Sequence, residues 1–449
     1  MSEYDYVIVG AGSAGCVLAA ELARAGHPVL VLEAGGGDRR LWVRMPIGYG
    51  RAFFDRRVNW CYRTGDEPNL DNRSSYWPRG KVVGGSSSIN AMVYYRGLPG
   101  DFDDWAKAAG PQWSWRAVES AFEANECVRY ADGATSGSGP MRIVDPGTRY
   151  HRLGAYYLDA AARLGLERNP RMISGEGVGR YCITADRGVR CSAADAFLKP
   201  GIKRYGLSVL KQAHAARILF DGSRATGVEF RLRGETHRVY CRNEVIVCAG
   251  AVNSPQLLQL SGVGPGALLA RHGIAVKVDS PATGGNLQDH LAVTYFYRSR
   301  IRTLNNQLHP WWGKAWAGLR YVLTRGGPLA LGVNQYGGFV RSTPDAPAPD
   351  IQLYFNPITY TRLPKGRRPL LAPDPYPGYV LSFQPCRPFS RGRVDIQSND
   401  PFAAPDIRPR YLSDGRDIRA IVDGARLLAR LAAAAPLRDV TEASIAPAP

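Results

Sequence analysis

Hydrophobic positions change period twice within the first 34 residues. Tyr4-Asp5-Tyr6-Val7-Ile8-Val9 is a β-branched run, an Ala/Leu-rich stretch reaching Arg24 has helical spacing, and Val29-Leu30-Val31-Leu32 is a second apolar run. Gly26 stops the helical stretch, so the pattern predicts a strand, a helix and a second strand. Later runs at Ala225–Phe230 and Arg238–Cys241 have strand character with a polar turn between them. Glu244–Cys248 predicts another strand; after it, Ser254, Pro255 and Gly262 predict the cap, first position and end of a short helix. Ile351–Phe355 and Gly378–Phe383 alternate as half-buried strands do, and Pro- and Arg-rich residues 361–377 between them predict an exposed connection. Near the end, Ile418, Ile421, Val422, Ala425 and Ala429 trace one face of a helix running toward Pro436.

The glycines between the first strand and helix add chemistry to this pattern. Gly10-Ala11-Gly12-Ser13-Ala14-Gly15 lies at the strand-to-helix turn. There Gly10 permits the tight turn, Gly12 admits a pyrophosphate to the helix N-terminus beside Ser13 and Ala14, and Gly15 lets helix and strand pack closely. Glu33 closes the second strand, where a carboxylate accepts hydrogen bonds from ribose hydroxyls and repels a 2′-phosphate. FAD and NAD fit that site and NADP does not. A second glycine-rich loop, Gly80 to Val93, carries Gly84-Gly85-Ser86-Ser87-Ser88 and is flanked by Trp77, Ile89, Met92 and Tyr94. A flexible linker lacks such flanks, so the loop predicts backbone lying against something flat or phosphorylated.

With 449 residues, the chain exceeds one ordinary domain. Hydrophobic residues make up 45% and charged residues 21%, and no apolar stretch is long enough to span a membrane, although peripheral contact stays open. Met1-Ser2-Glu3-Tyr4-Asp5 has no signal-peptide character, which predicts a cytoplasmic location. The eight cysteines are scattered without metal-site spacing and predict reduced thiols, with no metal. The formal charge of +18 comes mostly from arginines spread along the chain, without a nucleic-acid-binding motif, so no nucleic-acid partner is expected.

Together these motifs resemble the glucose–methanol–choline (GMC) oxidoreductases. Gly80–Val93 is similar to the family's first signature and Gly250–Gly264 to its second, with further likeness at Arg190–Leu198, Asn286–Leu291, Gly337–Arg341 and Ser390–Gly392. The wording of the motifs is nearest to the choline-dehydrogenase-like and alcohol-dehydrogenase members. The resemblance implies an α/β (α+β) fold: a Rossmann-like FAD-binding domain from discontinuous segments, 1–150 and 190–290, plus a substrate domain, 151–189 and 291–449, with an antiparallel sheet and helices. It implies FAD as cofactor, with Gly10, Gly12, Ser13, Ala14 and Gly15 at the pyrophosphate and Glu33 at the ribose. Val82, Gly85, Asn90, Ala91, Met92 and Val93 would line the flavin side, and Ala215 would stand where relatives have a valine near the adenine.

The implied activity is oxidation of the CH-OH group of a small-molecule alcohol by hydride transfer to flavin N5, with the electron acceptor left open. Substrate contacts are expected around Asn334–Phe339. In the family a histidine in an H-P-x-G-like context removes the hydroxyl proton, beside a second histidine or an asparagine. None of His27, His151, His214, His237, His272, His290 and His309 stands in that context. The expectation is therefore a chain cut short of its catalytic pair, with no catalytic residue assigned and His290 structural. An FAD-containing lyase of the same fold, a non-catalytic FAD-binding protein and an NAD-dependent dehydrogenase remain alternatives.

Overall fold

In the computed structural model, which describes residues 4–360 and 372–447, two six-stranded sheets dominate. The first contains β1 (Tyr4–Val9), β2 (Val29–Glu33), β3 (Ser208–Lys211), β4 (Ala213–Asp221), β5 (Arg224–Leu232) and β6 (Glu235–Val247), in the order β3-β2-β1-β6-β5-β4. The four strands on the β3 side are parallel, and the β1/β2 pair is joined by a crossover through α1 (Ser13–Arg24), as parallel neighbours require. β6 serves two roles: Glu235–Tyr240 closes an antiparallel pair with β5, and Cys241–Val247 runs beside β1. Every residue of β2 is buried, as expected for a parallel strand covered on both faces.

After β6 comes α2 (Gly250–Leu260), which starts five residues before Pro255, the first position predicted from the Ser254 cap. Pro255 therefore sits inside the helix and not at its first position, where its ring removes the bond to the Ala251 carbonyl. Gly262, at φ +86°, follows the helix end.

The second large sheet is antiparallel. It joins β7 (Val293–Ser299), β8 (Tyr336–Val340), β9 (Ile351–Asn356), β10 (Gly378–Pro385) and β11 (Thr441–Ala446) with the strand Gly177–Arg180. β9 alternates, whereas β10 is buried along its whole length and so departs from the expected half-buried pattern. As a central strand, β10 has one face in the main core with Tyr157 and Leu428. Its other face carries a hydrogen-bonded polar set in which Ser382 Oγ donates to the Val293 carbonyl and Gln384 Nε2 to Gln352 Oε1. Two further helices matter below: α3 (Trp311–Thr324) and α4 (Gly415–Ala433).

The face that α4 turns to the core overlaps only in part with the one its sequence suggested, through Ile421 and Ala425. Asp417, Gly424, Leu427, Leu428 and Leu431 are buried, while Ile418, Val422 and Ala429 are exposed. Gly424 explains the rotation: a Cβ there would lie 2.3 Å from the Phe383 ring, so the glycine brings the helix against β10 and the larger leucines follow. Of the predicted exposed connection, residues 361–371 lie outside the described residues. Pro373 and Asp374 are buried, their carbonyls meeting His309 Nδ1 and Asn305 Nδ2.

Candidate functional site

A cavity of about 480 Å³ opens at the C-terminal ends of the parallel strands, the usual ligand position in an open α/β sheet. Gly10, Gly12, Ser13, Ala14, Glu33, Gly85 and Ala215 line it, with Arg79, Ser86, Cys248–Ser254 and Gln256. Each glycine of the first loop has its own steric reason. Gly10 has φ +104°, and a Cβ on it would lie 2.4 Å from the Cys248 carbonyl oxygen. A Cβ on Gly15 would lie 1.9 Å from the Gly10 oxygen, so this glycine sets the contact between α1 and β1 and does not reach the cavity. Gly12 differs. The nearest protein atom to its Cβ would be 3.9 Å away, and the space its missing side chain leaves belongs to the cavity.

α1 begins at this opening without a side-chain cap. Its uncapped N–H groups and positive dipole end favour an anion. Glu33 stands across the cavity, with Oε2 accepting from Ala11 N–H at 2.9 Å and Oε1 from Gly35 N–H at 2.8 Å. Each oxygen keeps a lone pair for a hydroxyl donor. Burial pushes the Glu33 carboxyl up to about 7, against the pull of the two N–H donors and Lys81.

His214 forms another wall. Its ring lies edge-on to Trp60 at 5.5 Å and to Phe402 at 4.7 Å, and its Nδ1 is shielded from water with no hydrogen-bond partner among the described residues. Burial and Lys81 lower its pKa to about 4, so the ring is neutral. A flat heterocycle suits this wall, since it packs against the aromatic surface that lines the cavity. The donors, the carboxylate, the aromatic wall and the empty volume at Gly12 together fit the adenosine-pyrophosphate portion of a dinucleotide.

The second glycine loop is placed differently. Gly84 N–H donates to the Ala11 carbonyl at 2.7 Å, and a Cβ on Gly85 would lie 2.7 Å from Gly12 Cα, so the loop is stacked directly on the first. Val82 does not line the cavity; it is buried with Val43, Ala52, Val58 and Ile89. Asn90, Ala91, Met92 and Val93 also lie outside the cavity lining. Asn90 Oδ1 accepts from Met92 N–H, an Asx turn that holds Met92 at φ +64°. Arg190, which is 2% exposed, clamps the segment: its guanidinium donates to the carbonyls of Val43, Ser87 and Asn90 and to Asn90 Oδ1. With carbonyls and an amide as its hydrogen-bond partners, burial lowers its pKa to about 9.

Trp60, Arg79 and Pro401 were not anticipated at the cavity, because they arrive from loops with no local signal. His290 is exposed, while its neighbour Asp289 accepts a bond from the Tyr411 hydroxyl. All eight cysteines are free thiols, and no group of metal ligands occurs among the described residues.

Two family models of the GMC oxidoreductases match this chain, the N-terminal one over residues 4–292 and the C-terminal one over residues 388–449. The chain belongs to the GMC oxidoreductase family. It is 38% identical to the alcohol dehydrogenase [acceptor] of Pseudomonas putida, covering 94% of this chain and 77% of that protein. It is 38% identical to the mitochondrial choline dehydrogenase of Homo sapiens over 97% of this chain and 75% of that one. The crystal structure of pyridoxine 4-oxidase from Mesorbium loti superposes with a TM-score of 0.86 at 30% identity, covering 100% of this GMC oxidoreductase and 84% of that chain. The α/β fold of this oxidoreductase is thus that of known family members.

Proposed function

We propose that this GMC oxidoreductase binds FAD in the glycine-lined cavity and oxidises the CH-OH group of a small-molecule alcohol. The observation that carries the cofactor half is Gly12, whose missing side chain leaves space in the cavity and not in the protein interior. In this reading Gly10, Gly12, Ser13 and Ala14 present backbone to the pyrophosphate while Gly15, expected there from the sequence, packs α1 on β1 instead; Glu33 accepts from the ribose, and Ala215 and His214 flank the adenine. Val82, Gly85 and the backbone of Asn90, Ala91, Met92 and Val93 support the flavin end, held in shape by the Arg190 clamp. The discontinuous segments 1–150 and 190–290 form the cofactor domain, and 151–189 with 291–449 the substrate domain.

A bound flavin contributes a hydride acceptor. The protein's share is to hold and orient that ring, and the names of the alcohol and choline dehydrogenase relatives support an alcohol as donor. No nucleic acid takes part, and the enzyme works in the cytoplasm. Anaerobic addition of primary alcohols to the flavin-loaded protein tests the reading: bleaching of the visible flavin bands supports it. A bound flavin that no alcohol bleaches would leave a cofactor-holding protein without this activity.

A further inference from the structure

α3 carries more exposed large hydrophobic side chains than any other helix of the described residues. Trp311 is 79% exposed, Trp316 66% and Leu323 72%, and Trp312, Leu319 and Val322 are exposed with them. At 3.6 residues per turn, Gly313, Ala317 and Tyr321 form a narrow stripe that faces the protein. The arc opposite is filled by Trp311, Trp312, Ala315, Trp316, Leu319, Val322 and Leu323, without one polar side chain. Lys314 and Arg325 border the arc on one side and Arg320 on the other. This inverts the usual amphipathic helix, whose apolar stripe faces the core.

Charge along this segment of the chain is one-sided. Residues 290–344 contain seven Lys or Arg and no Asp or Glu. Arg298 pairs with Glu442 and Arg341 with Glu176, whereas Lys314, Arg320 and Arg325 form no ion pair with a described carboxylate. A tryptophan-rich apolar face rimmed by unpaired cations matches the boundary between lipid headgroups and acyl chains, where indole rings are favoured and anionic headgroups attract the rim. A second copy of the chain fits less well, because each copy carries +18 and would bring its own cations to the same rim.

We propose that α3 is a monotopic membrane-docking element that seats this enzyme on an anionic lipid surface by its outer face. It lies flat in the interface and does not span: no described helix is long and apolar enough to cross a membrane. The proposal does not depend on the cofactor or the alcohol.

Co-sedimentation of the purified full chain with phosphatidylcholine vesicles, with and without phosphatidylglycerol, tests it. Binding is expected to the anionic vesicles, falling about fivefold for each of Lys314→Gln, Arg320→Gln and Arg325→Gln, weakening with salt, and abolished in Trp312→Ser/Trp316→Ser/Leu323→Ser. Brominated lipids provide a readout on the unmodified protein and should quench its tryptophan fluorescence. Any one of three results overturns the proposal: no binding, equal binding to neutral and anionic vesicles, or a lipid-free dimer that the triple substitution dissociates.

Discussion

The two glycine-rich loops look alike in sequence and are built for different purposes. Gly10–Gly15 is held by its own neighbours: strand, turn and helix follow one another, and the steric need for each glycine lies within the βαβ unit or in Cys248 beside it. Gly80–Val93 is framed by itself only as far as Ser88, where the Ser87 and Ser88 hydroxyls donate to the carbonyls of Gly84 and Val83. It lies on the first loop through Gly84 and Gly85, and its shape beyond Ser87 depends on Arg190, a hundred residues further along. Glycine in the first loop makes room for the cavity and a helix; in the second, Gly85 makes room for the first loop, while Gly80 and Gly84 make room within their own loop.

The sharpest way to break this comparison is to fill the two kinds of space. Gly15→Ala places a methyl on the Gly10 oxygen and should destabilise the fold by about 3 kcal/mol or more, read as the denaturant midpoint. Arg190→Ala should cost about as much, ~3 kcal/mol, because the buried Val43 carbonyl and the part-buried carbonyls of Ser87 and Asn90 lose a donor, at ~1–3 kcal/mol for each one left unpaired. Its flavin end should loosen as well, seen as altered fluorescence of the bound flavin.

Glu33 sharpens the comparison through pH. Its folded pKa of about 7 lies above the ordinary carboxyl value of 4.5, so between those values the unfolded chain ionises while the folded one keeps its proton. Stability of the ligand-free protein therefore falls as pH rises through that window, by at most roughly 3 kcal/mol at 1.36 kcal/mol per pKa unit. Thermal unfolding at several pH values should show this slope, and Glu33→Gln should flatten it. The smallest effect on stability belongs to Gly12→Ala, within ~0.5 kcal/mol, since its Cβ meets no protein atom closer than 3.9 Å. Its flavin affinity should nonetheless fall at least ~10-fold, or ~1.4 kcal/mol. A Gly12→Ala protein that binds flavin normally would remove the distinction between the loops.

What the sequence revealed follows the same division. The βαβ unit was legible because period, glycine spacing and Glu33 all lie within 34 residues. The Arg190 clamp and the wall of Trp60, His214 and Phe402 were not, since nothing near Asn90 announces a guanidinium and nothing near His214 announces two aromatic rings. The α4 face was partly misread because apolar periodicity weighed Ile418 and Val422 above a glycine, and close approach at Gly424 decided the orientation. The α2 start was misread because Ser254 and Pro255 have the composition of a helix start, while the helix already begins at Gly250.

Titration of the ligand-free full chain with FAD, and separately with NAD, followed by the visible flavin spectrum and by calorimetry, tests the central claim most directly. The account predicts one FAD per chain, retained through gel filtration, competed by ADP and weakened in Gly12→Ala. A chain that takes up no FAD, or that binds NAD and leaves FAD free, would contradict it.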